Sequence, residues 1–363
     1  MAPVIHTLKQ TQGIESLVCV TAQHREMLDQ VLGLFEIVPD VDLDLMRPNQ
    51  SLAEITSAIF VHLDPVLKEI EPDWVLVQGD TTTVVATSLL AYYNRVLVGH
   101  VEAGLRTLDK WQPFPEEVNR RVAGVIADLH FAPTEWSRQN LLREGIPDDI
   151  IKVTGNPVID ALNFAVRKPA SPEVIEILDR LGMPHDPEET TYKRFILVTA
   201  HRRENFGQPL IDICTALRQL VEFYGDSIHI VYPVHLNPNV QEPVYRLLGD
   251  VPNISLLTPL DYLPLVHVMK RSYLVLTDSG GIQEEAPGLG KPVLVMRSVT
   301  ERPEGVKAGT VRIVGTDIDK IVYETCHLLN DVQEYQKMAR AINPYGDGHA
   351  SERIVKALLA KAL

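Results

Sequence analysis

Short runs of Val, Ile and Leu alternate with helical segments along the whole chain, and this alternation constrains the fold more than any other feature. Runs at 17–22, 74–78 and 96–101, then at 195–200, 228–232, 254–257, 273–277 and 293–296, read as buried strands. Helical segments at 27–35, 51–70 and 84–93 fall between the early ones. Strands that are apolar on both faces and separated by a helix imply parallel sheets covered on both sides. The fold class expected is therefore α/β, with two Rossmann-like domains, since 363 residues suffice for two cores. The first domain is expected over 1–157, with Phe131-Ala132-Pro133-Thr134 as its last strand and helix cap. A final helix within 346–363, with Ile354, Val355, Leu358 and Leu359 on one side, is expected to cross back to it. The second domain is expected over 158–345, with the Pro- and Glu-rich segment 168–193 as a variable lead-in. The chain starts in a helix, with Val4, Ile5 and Leu8 on one face.

A net charge of −14 without a basic run excludes nucleic acid and anionic membranes as partners. No apolar run reaches the roughly 18 residues of a membrane span. Cys19, Cys214 and Cys326 lie far apart in apolar stretches without metal spacing. They read as reduced core residues of a cytoplasmic protein that binds no metal.

Any anionic ligand must then be held locally, and the run Asp278-Ser279-Gly280-Gly281-Ile282-Gln283-Glu284-Glu285 offers the means. It joins a strand to a helix N-terminus. Its glycines admit a close backbone approach, and the free N–H groups with the helix dipole favour a phosphate. Glu285, about one turn on, is placed to accept hydrogen bonds from a ribose diol. Taken alone, Ser279-Gly280-Gly281 serves equally well as a tight turn.

Ligands of open parallel sheets bind beyond the carboxyl ends of the strands. Those ends carry Asp80, Glu102, His201-Arg202-Arg203-Glu204, His235 and the Ser-Gly-Gly turn, with Arg302 after the strand ending at Met296. These groups are expected to line one cleft. Each has a plainer reading: Asp80 or Thr81 as a helix cap, Glu116 and Glu117 as dipole-satisfying glutamates, His235 as a loop histidine. Two arginines and a histidine straight after a buried strand are harder to dismiss, since they require an anion or carboxylate to answer them. No Gly-x-Gly-x-x-Gly follows a strand and no P-loop is present, which disfavours nicotinamide cofactors and P-loop hydrolysis. Proton chemistry on a nucleotide-linked substrate remains.

The motifs Thr21-Ala22-Gln23-His24-Arg25-Glu26-Met27-Leu28, Gly79-Asp80-Thr81-Thr82-Thr83, Pro115-Glu116-Glu117, His201-Arg202-Arg203-Glu204-Asn205, Pro233-Val234-His235-Leu236-Asn237-Pro238 and Thr300-Glu301-Arg302-Pro303-Glu304 join the 99–106, 278–286 and 343–348 runs. As a set, and in this order, they resemble the bacterial non-hydrolysing UDP-N-acetylglucosamine 2-epimerases over almost the whole chain. The resemblance implies a glycosyltransferase-B-like fold and interconversion of UDP-N-acetylglucosamine with UDP-N-acetylmannosamine. UDP is eliminated to give 2-acetamidoglucal and then re-added, without a cofactor. It further implies Asp80, Glu102, Glu116 and His201 as catalytic groups, the order of base and acid among the carboxylates left open. Arg202, His235, Ser279, Gly280, Gly281, Glu285 and Arg302 would bind UDP, and Gln23 and His24 would contact a regulatory substrate molecule. Family members are commonly dimeric.

Two departures qualify the resemblance. The family's first strand and its Gly-Thr-Arg-Pro-Glu loop precede the position of Met1, so a late-assigned start or a truncated chain is expected. Ala58 stands where regulated members carry an arginine. Competing readings are an epimerase for a related diacetamido UDP-sugar, a glycosyltransferase, or a UDP-sugar-binding protein without turnover.

Overall fold

The computed structural model describes residues 1–361 except Gln23, His24, Met46, Pro48, Asn49, Glu188 and 190–192, and except the side chains of Glu26 and Met27. Two compact units emerge, Met1–Ala161 with Tyr345–Leu363, and Leu162–Pro344. The division falls inside the helix Pro157–Arg167.

In the first unit β1 (Cys19–Val20) pairs in parallel with β2 (Val41–Asp42). A second, wholly parallel sheet runs β3 (Trp74–Gln78), β4 (Leu97–Val101), β5 (Leu129–Ala132), β6 (Ile151–Val153) in that order. The run 17–22 thus gives only two residues to a ladder. There Val18 and Val20 are buried while Cys19 faces out, because successive side chains of a strand alternate. Cys19 is therefore not a core residue as expected; Cys214 is buried and Cys326 half-buried, and all three are free thiols. Nor is β5 the last strand of this unit. β6 follows it across the helix Glu135–Arg143, and three residues are too few to display a period. The helix Ala350–Lys361 packs Ile354 and Leu358 against Val4, Val101, Leu129 and Phe131. Asp160 caps it, accepting from the Ser351 N–H at 2.9 Å and the Ser351 hydroxyl at 2.6 Å. Leu359, expected on the packed side, is 41% exposed, one residue past the buried stripe of Ile354, Val355 and Leu358.

The second unit holds one parallel six-stranded sheet: β7 (Arg194–Thr199), β8 (Ile228–Pro233), β9 (Ile254–Leu257), β10 (Leu274–Thr277), β11 (Val293–Val295) and β12 (Val311–Ile313). β12 is a further short strand that the sequence pattern does not reveal. Their spatial order is β12-β11-β10-β7-β8-β9. The chain builds outward from β7 in one direction and then from β10 in the other, so the strand order reverses between them. Ile196 and Val198 of β7 enter one apolar core, and Phe195 and Leu197 the core on the opposite face. Each such side chain stabilises the fold by about 1.5–3 kcal/mol, which is why the strands read as unbroken apolar runs. The lead-in 168–193 contains a helix, Pro172–Leu181, that buries Val174, Ile177, Leu178 and Leu181. No helix among the described residues is long and apolar enough to cross a membrane.

Candidate active site

In the second unit the reversal point brings two loops together, the position at which doubly wound sheets bind ligands. β10 delivers Asp278 and Ser279 to the helix Gly280–Gly288, whose first turn has no side-chain cap. Its leading N–H groups therefore have no capping side chain among the described residues, the arrangement in which a helix N-terminus can receive an anion. Gly280 is required by close approach: a Cβ there would lie 2.5 Å from Arg302 Nη1. Arg302 is held over the turn by Glu284, 2.5 Å from its Nε, and by Glu301, 2.8 Å from its Nη1. Glu301 is also gripped by Arg297 at 2.7 Å, and Arg297 by Glu204 at 2.6 Å. Burial works against ionisation of Glu301, but Arg302 and Arg297 prevail and hold its pKa down at about 2.

Glu285 is buried one turn into the helix, where it accepts the Tyr262 hydroxyl at 2.6 Å. Burial pushes its pKa up to about 7, with Glu284 adding to the rise and Tyr262 opposing it.

β7 delivers the other loop. His201 stacks on His235 with ring centres 5.6 Å apart. Arg202 keeps a buried Nε without a hydrogen-bond partner among the described residues, a donor suited to an anion. Asp278 lies between the loops, accepting from the backbone N–H groups of His201 and Arg202 at 2.8 Å each and from Asn205 at 3.0 Å. The sequence placed Asp278 in a motif but gave it no task. Arg297 and Tyr262 went unnoticed, since their partners are distant in sequence.

The first unit collects carboxylates at the carboxyl ends of β3 and β4. Asp80 is not the cap of the following helix, Thr82–Tyr93, whose N-cap position is Thr81. Instead its Oδ2 lies 2.5 Å from Nη2 of the buried Arg120, while Asn119 donates to its carbonyl at 2.9 Å. Glu102, just past β4, has φ of +63°, a strained backbone for a residue with a Cβ. Gln78 donates to it at 3.3 Å. Glu116 begins the helix Glu116–Ile126, and one of its oxygens is buried without a hydrogen-bond partner among the described residues. Its neighbour Glu117 is fully buried and accepts the backbone N–H groups of Thr107 and Leu108, each at 3.1 Å. The two glutamates thus differ: Glu117 anchors a loop, whereas Glu116 makes no such contact among the described residues. Gln23 and His24 lie outside the described residues. Ala58 is partly buried against the apolar cluster of the helix Leu52–Ile70.

Two Rossmann-like α/β units with parallel sheets, one ending in a phosphate-type turn and the other in a set of carboxylates, define a protein of the glycosyltransferase-B-like class. The family model described as UDP-N-acetylglucosamine 2-epimerase matches residues 6–359. The chain belongs to that family. It is 57% identical over 358 residues to the UDP-N-acetylglucosamine 2-epimerase of Salmonella typhimurium, covering 99% of this chain and 94% of the relative. The Escherichia coli K12 enzyme of the same name is 58% identical over 359 residues, with the same coverage. Among solved structures, UDP-GlcNAc 2-epimerase from Neisseria meningitidis bound to UDP-GlcNAc superposes with a TM-score of 0.90 at 50% identity, covering 99% of this chain and 96% of that one. The Methanocaldococcus jannaschii enzyme in complex with UDP-GlcNAc and UDP gives a TM-score of 0.80 at 31% identity, covering 99% and 95%.

Proposed function

We propose that the protein interconverts UDP-N-acetylglucosamine and UDP-N-acetylmannosamine by elimination and re-addition of UDP through 2-acetamidoglucal. The observation that carries this reading is the turn at 279–281, which joins uncapped helix N–H groups, Arg302 and the ribose-type acceptor Glu285 in one unit of a chain from this family. Ser279, Gly280 and Gly281 cradle the diphosphate, with Arg202 and Arg302 supplying positive charge, His201 meeting the leaving group and His235 backing His201. The first unit supplies the proton transfers.

A proton on carbon 2 of a sugar is barely acidic. Departure of UDP from carbon 1 builds positive charge beside it and makes its removal feasible. The carbon 1–oxygen bond breaks as UDP leaves with its electron pair, a carboxylate takes the carbon-2 proton, and a carbon–carbon double bond forms. Re-addition of UDP with protonation from the opposite face inverts carbon 2. Two acid/base groups are needed, and Asp80, Glu102 and Glu116 provide them in unlike environments: a buried guanidinium, a strained strand end and an unanswered buried oxygen. Gln23 and His24 are candidate contacts for a second, regulatory UDP-sugar, with Ala58, in place of the family's arginine, arguing against such regulation. A cytoplasmic homodimer is the working assembly, open to test by light scattering.

Proton NMR of the protein with UDP-N-acetylglucosamine in deuterated water tests the reaction. The 2-epimer should appear with deuterium at carbon 2. A folded protein that binds UDP but neither forms product nor exchanges that proton would overturn the reading.

A further inference from the structure

We propose that Asp278 is the positioning residue of His201: its carboxylate holds the imidazole proton on Nδ1 and leaves Nε2 as the nitrogen that meets the departing diphosphate. The inference rests on the reading of His201 as partner of the leaving group.

The geometry is fixed from both sides. β7 and β10 are neighbours in the sheet, with Thr199 opposite Thr277, so the residues that follow them emerge side by side. The Asp278 N–H donates to the Thr199 carbonyl at 3.0 Å. Its Oδ2 then accepts three N–H groups, those of His201, Arg202 and the Asn205 side chain. Three donors on one oxygen leave the carboxylate no freedom to rotate, and Asp278 is fully buried. Its Oδ1 is thereby left beside His201 Nδ1, at 3.3 Å, a contact close enough for a hydrogen bond but not aligned as one in this structure. That oxygen is buried and has no hydrogen-bond partner among the described residues. A buried carboxylate oxygen strongly prefers a proton donor, and Nδ1–H is the group at hand.

The charges around the ring are consistent with such a task. Burial lowers the pKa of His201, and Arg202 and the stacked His235 lower it further, while Asp278 is the charge that opposes them. These shifts favour the neutral ring in the free protein, and uptake of a proton from solvent would make it the cationic partner of an anionic diphosphate. Asp278 would then face the imidazolium and stabilise it.

A residue that merely tied two loops together would leave the ring's proton where it was. Long-range proton–nitrogen NMR of the ring, assigned by loss of the signal in His201→Gln, separates the two roles. In the unaltered protein near pH 7.5, Nδ1 should carry the proton and Nε2 should not. In Asp278→Asn, the amide presents a donor to Nδ1 and should shift the proton to Nε2, with turnover falling on the order of 10²-fold or more. A proton on Nε2 in the unaltered protein overturns the assignment, as does an unchanged tautomer with unchanged turnover in a folded Asp278→Asn variant. Should that variant not fold, the tautomer of the unaltered protein still decides. Failure of the functional reading is distinct: Nδ1–H would be found in a protein that neither epimerises UDP-N-acetylglucosamine nor exchanges its carbon-2 proton.

Discussion

Lowering the pH from 7 to 5 should destabilise the first unit through two buried histidines, His100 on β4 and His130 on β5. They are register partners in adjacent strands, and each is at most 1% exposed. Burial pushes their pKa values down, to about 4 for His100 and about 3 for His130, and the Arg106 guanidinium adds to both shifts. His100 is further fixed by a 2.7 Å contact between its Nε2 and the carbonyl of Gly79, beneath the turn that presents Asp80. Because both folded pKa values lie below the unfolded value of 6.5, the unfolded chain takes up protons first. The stability these neutral rings confer is complete above about pH 6.5 and is lost as the pH falls toward 4 and 3. Linkage between pH 7 and pH 5 gives a loss of about 1.9 kcal/mol per histidine, or about 3–4 kcal/mol for the pair. Trp74, Trp111 and Trp136 are the protein's three tryptophans and all lie in this unit, so urea unfolding followed by their fluorescence reports on it. Carboxylates contribute pH dependence of their own, and the comparison with His130→Leu removes them. The loss between pH 7 and pH 5 should be smaller in the variant by about 2 kcal/mol. An identical loss in the two proteins would refute the reasoning.

Three further outcomes follow from the site. Gly280→Ala places a methyl group 2.5 Å from a guanidinium already held by Glu284 and Glu301; a displacement of about 1 Å should weaken UDP binding on the order of 10–100-fold by calorimetry, with unfolding little changed. Glu285→Gln should change stability and binding in opposite directions. The raised pKa of the native carboxylate means that stability is lost as pH rises from about 4.5 through about 7, so at pH 8 the variant should gain on the order of 2 kcal/mol in calorimetric unfolding while UDP affinity falls. Arg120→Gln removes the buried cation at Asp80 and should slow carbon-2 proton exchange roughly 10²-fold, with UDP affinity unchanged; full exchange activity would separate Asp80 from the proton chemistry.

The alternation of apolar runs and helices, the run from Asp278 to Glu285 and the His-Arg-Arg-Glu-Asn motif are all local, and the sequence alone was enough to read two parallel α/β domains and a strand-to-helix turn at 279–281. Its strand pattern missed β2, β6 and β12, because strands of two or three residues carry no period, and placed Cys19 in a core that its side chain turns away from. What the sequence could not decide is which groups answer one another. Asp278 meets His201 77 positions away only because the strand order puts β10 beside β7. Arg120 reaches Asp80 across 40 positions, and of two adjacent glutamates only the fold decides that Glu117 is spent on backbone N–H groups while Glu116 is not. Residue type and spacing along one segment are set by local propensity and burial, whereas hydrogen-bond partners and charge environment depend on strand order and register, which only the folded chain defines.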